Sequence, residues 1–286
     1  MAKDKVTSKE YLIIVSLMIF FVLVTLVGVV RLALVLNNKV NTVDIDSLYA
    51  LAEQQEYEVD YKNINMQIID KISMDYGLNI YYGENTNLGS VNAVNIVDEY
   101  LVFEMLKEIN EALSKYPKGL ISEIESKGYT VSLYLVDHFN LNMEALANRN
   151  TIGQFNIYMS NTDDITRALH HEFYHILDYY IKLETNETYD MWNTYNPRGY
   201  IYPEDVNELT SKYVYKGESG AHFVTLYAKV SEKEDRAETF AEMLTASRDE
   251  KFFGTGEYIY SKINLIIDVL DSTFKTVRNE EVVAWK

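Results

Sequence analysis

The hexapeptide His170-His171-Glu172-Phe173-Tyr174-His175 constrains this chain more than any other segment. It contains H-E-x-x-H, read as His171, Glu172 and His175. Residues four apart share one face of an α-helix, so the two imidazoles can grip one metal ion. Glu172 is then placed to take a proton from a water that the metal activates. The segment must be helical, and the fold must bring a third ligand to its face. Zinc suits this pattern, as one catalytic ion. His170 is turned about 100° from His171 and reads as a surface or supporting residue. Asp178 shares the metal face and is placed to orient a ligand imidazole.

The flanking residues agree with a helix. Leu169, Phe173, Ile176 and Tyr180 form an apolar stripe spaced four, three and four. Asn161 or Thr162 can cap it, and Asp163 and Asp164 favour its positive end.

The chain has no cysteine, so a third ligand must be His, Asp or Glu. His138, His222 and the acidic run Glu232 to Glu242 are the sources. Ser231 and Glu234 form S-x-x-E, a capping box that starts a helix and gives Glu234 a structural task. Glu238, one turn later, becomes the third ligand. Glu242, a turn further, is placed to hydrogen-bond a ligand histidine.

These two segments together, HHEFYH and then Tyr227-Ala228-Lys229 with EDRAETFAEML, resemble the gluzincin peptidases of the anthrax lethal factor type, over roughly residues 95 to 250. The resemblance implies an α+β, zincin-type metallopeptidase domain with a small mixed sheet and an active-site helix. It implies that the first glutamate of the E-x-F-A-E signature, Glu238, binds zinc. It also implies that Tyr227, upstream of that helix, polarises the scissile carbonyl, with His222 as the alternative donor. Tyr195-Asn196-Pro197-Arg198-Gly199-Tyr200 is similar to an N-P-x-G-aromatic turn of related bacterial sequences. The family's architecture further implies that the strand near Phe155 to Met159 offers an open edge to an extended peptide. The expected activity is zinc-dependent endopeptidase action on peptide or protein substrates, with Glu172 as general base. Two alternatives are a zinc-binding surface module without proteolysis and a zinc amidase acting on cell-wall peptides. A structural or interaction protein of the cell surface, with an accidental motif, is a further rival.

Tyr11 to Val30 carries no charge and is long enough to span a bilayer as a helix. Lys3, Lys5 and Lys9 precede it, and Arg31 and Lys39 follow it. We therefore expect a cytoplasmic tail at 1–10, a transmembrane anchor at 11–36, a stalk at 37–60 and the zinc metallopeptidase domain at 61–286, outside the cell membrane. Secretion after cleavage is the alternative. The formal charge of -17 is uneven. Residues 1 to 40 hold five basic and two acidic residues, which leaves -20 for the remainder. Such a body repels nucleic acid, and none is expected as a partner. The oligomeric state is not legible in the sequence.

Within the body, helices are expected from Tyr61, from Val97 to Leu113, over Leu120 to Ser126, after Ser231 and from Tyr258 to Thr276. Strands are expected at Leu78 to Tyr82, Tyr129 to Val136 and Phe155 to Met159, with loops elsewhere, including Thr185 to Gly220.

Overall fold

The computed structural model describes residues 44–54, 59–141, 143–150, 153–185, 189–203, 220–246, 257–279 and 284. The chain divides into two units, Met1–Tyr57 and Glu58–Lys286. The first contributes helix α1 (Ile45–Gln54), with Leu48 and Ala52, one turn apart, as buried positions. The predicted anchor lies outside the described residues, and among those described no helix is long and apolar enough to cross a membrane.

The second unit is α+β. Its elements in chain order are α2 (Tyr61–Tyr76), β1 (Asn79–Tyr81), β2 (Ala93–Asn95), α3 (Glu99–Leu113), α4 (Leu120–Glu125), β3 (Thr130–Phe139), β4 (Ala145–Arg149), β5 (Gln154–Ser160), α5 (Ile165–Glu184), α6 (Glu232–Thr245), α7 (Glu257–Thr273) and α8 (Lys275–Asn279). Short 3-10 turns cover Trp192–Tyr195 and Tyr227–Lys229. Of the loop expected over 185–220, residues 186–188 and 204–219 lie outside the described set.

The five strands form one mixed sheet, ordered β1-β3-β5-β4, with β2 also on β3. β1 and β5 run parallel to β3, whereas β2 pairs antiparallel with β3 and β4 antiparallel with β5. The register follows the period-2 pattern. Val131, Leu133 and Leu135 lie beside Phe155, Ile157 and Met159, all fully buried. The opposite face carries an aromatic row, in which Tyr81 stacks on Tyr134 and Tyr134 on Tyr158 at 5.1 and 4.8 Å. Leu88 and Val91 pack on the cluster of Val136, Phe139 and Tyr158 on this face.

Two strands were not expected. β2 is short, and β4 (ALANR) lacks both alternation and β-branched residues. Pairing with β5 makes β4 a strand, since propensity alone would leave it a loop. The edge expected on β5 is therefore closed, because β3 and β4 occupy both its sides. Among the described residues, β4 pairs on one side only and forms the edge beyond β5.

Helix starts also differ from expectation. Asp164, not Asn161 or Thr162, caps α5 by accepting the Arg167 amide at 2.9 Å. Thr162 instead donates its hydroxyl to Glu144 at 2.8 Å. The single helix expected from Tyr258 to Thr276 breaks at Phe274. Glu123 accepts the amides of Lys275 and Thr276, both at 2.9 Å, which caps the new start.

α6 is pinned by charges inside the core. Asp235 and Lys262 are both fully buried and meet at 2.6 Å. The same Asp235 oxygen accepts from Trp192 Nε1 at 2.9 Å and the Tyr202 hydroxyl at 2.7 Å. Lys262 also donates to the His222 carbonyl at 2.7 Å and sits 4.3 Å from the Phe223 ring centroid. Burial raises the pKa of Asp235 and lowers that of Lys262, so each depends on the other to stay charged. Removing one partner strands the other. We expect Lys262→Met to cost about 3–5 kcal/mol and to lower the melting temperature by roughly 10 °C or more in thermal unfolding. A change of a degree or two would mean the pair contributes little.

Candidate metal centre

α5 and α6 pack against each other with their polar faces inward, and most of the site lies on this seam. α5 is buried on almost every side, from Ile165 to Ile181, so its histidines are inside the protein rather than on its surface. His171 and His175, one turn apart, direct Nε2 to the same point, 3.1 Å from each other.

The carboxylate that completes this point is that of Glu234. Its Oε2 lies 3.0 Å from His171 Nε2 and 3.2 Å from His175 Nε2. Tetrahedral ligands about 2.1 Å from a zinc ion lie roughly 3.4 Å from one another. The three donor atoms are spaced close to that. Among the described residues, His171, His175 and Glu234 form the group able to hold a metal. Two imidazoles and one carboxylate with a side left open are a catalytic zinc donor set.

Glu238 therefore does not stand where the sequence places it. Its Oε1 lies 2.8 Å from His171 Nδ1, on the far side of that imidazole. Its Oε2 accepts from Arg167 at 2.7 Å and from the Thr225 hydroxyl at 2.7 Å. Glu242, expected to bond a ligand histidine, reaches Arg167 at 2.9 Å. Glu234, one helical turn earlier, is the residue whose carboxylate reaches both Nε2 atoms. Ser231 does accept the Glu234 amide, at 3.2 Å, as in a capping box. That bond uses the backbone of Glu234 and leaves its side chain free to cross the seam.

Other candidates are likewise relocated. Asp178 orients neither imidazole. It is buried and holds Arg236 at 3.0 Å and Lys182 at 2.8 Å, clamping α5 to α6. His175 Nδ1 has no hydrogen-bond partner among the described residues. His170 is fully buried and its Nδ1 meets the Tyr116 hydroxyl at 2.7 Å. Burial, with Lys115 and Arg167 nearby, pushes its pKa down to about 3 and keeps it neutral. His222 stacks on Tyr258 at 4.0 Å and bonds the Tyr195 carbonyl, away from the imidazole pair. His138 lies on the surface against Asp137.

Glu172 and Tyr227 do meet at the site. Both line one cleft of about 530 Å³ with His171, Ala145, Met143 and Ala168. The Tyr227 ring lies 5.9 Å from that of His171 and is half exposed. Partial burial and the charges of Glu234, Glu172 and Glu238 raise its pKa to about 12, so it keeps its proton. Burial raises the pKa of Glu172, countered by the two imidazoles and by a hydrogen bond from the Ala147 amide.

The electrostatics favour a cation at the seam. Burial opposes the charged form of His171, but hydrogen bonds to Glu234 and Glu238 outweigh it and raise its pKa to about 9. Glu238, opposed by burial, is held at about 2 by His171 and Arg167, and Glu234 is also held low by the two histidines.

Residues 110–256, just over half of the chain, match the model of the family described as "Putative zinc-binding metallo-peptidase". The chain belongs to this zinc-binding metallopeptidase family. Both site helices, α5 and α6, fall inside the matched segment. Zinc is thus the cofactor that family and donor set agree on. A crystal structure described as that of a putative zinc-binding metallo-peptidase from Bacteroides caccae is similar at 15% identity, covering 78% of this chain and 92% of that one, with a TM-score of 0.48. No curated protein matches the chain.

Proposed function

We propose that this family member is a gluzincin-type zinc endopeptidase in which His171, His175 and Glu234 hold one zinc ion and Glu172 is the general base. The observation that carries this reading is the convergence of two Nε2 atoms and one carboxylate oxygen within 3.2 Å, beside a cleft that also holds Glu172 and Tyr227. Bound zinc would supply Lewis acidity, polarising a carbonyl and lowering the pKa of water. Glu172 accepts the proton of the attacking water and delivers it to the leaving nitrogen. Tyr227, protonated and facing the same cleft, donates a hydrogen bond to the oxyanion. The Ala147 amide holds the Glu172 carboxylate in place.

A peptide substrate suits the β4 edge. Ser160 donates to the Glu144 carbonyl and Asn150 to the Gln154 carbonyl, both at 3.0 Å. Antiparallel pairing alternates, so even-numbered residues of β4 face β5; Ala145 and Arg149 turn their amides and carbonyls outward, and Ala147 its carbonyl, its amide being held by Glu172. An extended chain can add there as a further strand. Internal bonds rather than chain ends are favoured. Among the described residues lining the cleft, Arg167 is the cation, and its two terminal nitrogens are already bound to Glu238 and Glu242. Its charge is already matched by two carboxylates, which disfavours its capture of a terminal carboxylate.

The uncharged run Tyr11 to Val30, with its basic N-terminal flank, supports a single-pass anchor with the catalytic unit outside the cell. The test of the activity is incubation of the purified protein with a diverse peptide pool. Cleavage inside peptides should appear, stop with a chelator and return with zinc. Bound zinc without cleavage would favour a non-proteolytic binding module instead.

A further inference from the structure

The α5–α6 seam is a ladder whose rungs extend past the metal ligands. Arg167, His171 and His175 lie four apart on α5, and Glu242, Glu238 and Glu234 lie four apart on α6. Arg167 meets Glu242 and Glu238, His171 meets Glu238 and Glu234, and His175 meets Glu234. Glu238 is thus shared. One oxygen accepts a hydrogen bond from His171 Nδ1, and the other is held by Arg167 and Thr225.

We propose that Arg167 is a positioning residue of the metal centre, holding Glu238 on His171 Nδ1 so that the imidazole presents Nε2 to zinc. The role deepens the reading above and rests on it. The physical need comes from burial. Glu238 and Glu242 are both buried and stand one turn apart, where like charges repel. A guanidinium spans the two carboxylates with separate nitrogens and satisfies both. Without it, two buried like charges face each other with no guanidinium between them, and the second Glu238 oxygen keeps only the Thr225 hydroxyl to hold its orientation. A bond to Nδ1 decides which ring nitrogen keeps its lone pair for the metal. Lysine offers one point charge on a flexible stem and reproduces only part of this. Arg167 also sits one turn before His171 on the same helix, so the clamp and the ligand move as one body.

The test is zinc affinity, measured by competition with a chromophoric chelator, for wild type, Arg167→Met, Glu238→Gln and the double variant. Each single change should weaken zinc binding about 10–100-fold. The double variant should bind no more weakly than Glu238→Gln alone, because Arg167 acts through that carboxylate. Arg167→Lys should fall between wild type and Arg167→Met. Zinc binding by Arg167→Met within twofold of wild type overturns the proposal, as does a double variant whose loss is the product of the two singles. Should circular dichroism show Arg167→Met unfolded, Arg167→Lys carries the comparison, and wild-type affinity in it overturns the proposal. Wild-type protein that binds no zinc would instead overturn the ligand assignment on which this role depends.

Discussion

Glu172→Gln is expected to abolish hydrolysis while leaving zinc in place. The substitution keeps the size of the side chain and an oxygen for the Ala147 amide, and it removes only the proton acceptor. Glu172 is not one of the three groups that meet at the seam, so the metal donors are untouched. Its environment suits a base. Burial lifts its pKa, while the two imidazoles and the Ala147 amide keep the carboxylate form within reach. General-base catalysis contributes about 10²- to 10⁴-fold, so the turnover number should fall by at least two orders of magnitude. Metal content by elemental analysis and turnover on a cleaved peptide, measured on the same preparation, check both halves. Wild-type turnover in Glu172→Gln would remove this residue from the mechanism.

The second large effect separates the two glutamates of α6. Glu234→Ala should purify without zinc, because it removes one of three donors. Glu238→Ala should still bind zinc, about 10–100-fold more weakly, because it removes only the support of His171. The contrast is asymmetric for a geometric reason: the Glu234 oxygen stands 3.0 and 3.2 Å from the two Nε2 atoms, whereas Glu238 reaches only Nδ1. The reverse outcome, zinc lost from Glu238→Ala and kept by Glu234→Ala, would restore the assignment made from sequence.

Local signals carried much of this site. HExxH with its apolar stripe defined α5, and the predicted stripe of Leu169, Phe173, Ile176 and Tyr180 is buried. Ser231 marked the start of α6 correctly. Glu172 and Tyr227 were named before their cleft was visible, Tyr227 by resemblance. What failed was inference from one interaction to the whole residue. The capping box accounts for the Glu234 amide alone and leaves its carboxylate to the two imidazoles. His170, turned about 100° from His171, is expected at the surface or in support, but that side of α5 is covered: Tyr116 packs against it.

Local spacing and caps fix the two site helices, the histidine pair on the first and the acidic face on the second. These depend on i, i+4 spacing and on caps, which act within a few residues. Which glutamate meets both imidazoles, and which described strand lies at the sheet edge beside the site, follow from packing. Glu234, Glu238 and Glu242 share one face, so their partners follow from the axial offset of α6 along α5, a quantity no local pattern encodes. β4 became the edge because β5 had an unpaired side to offer it, and pairing overrode a sequence with no strand preference.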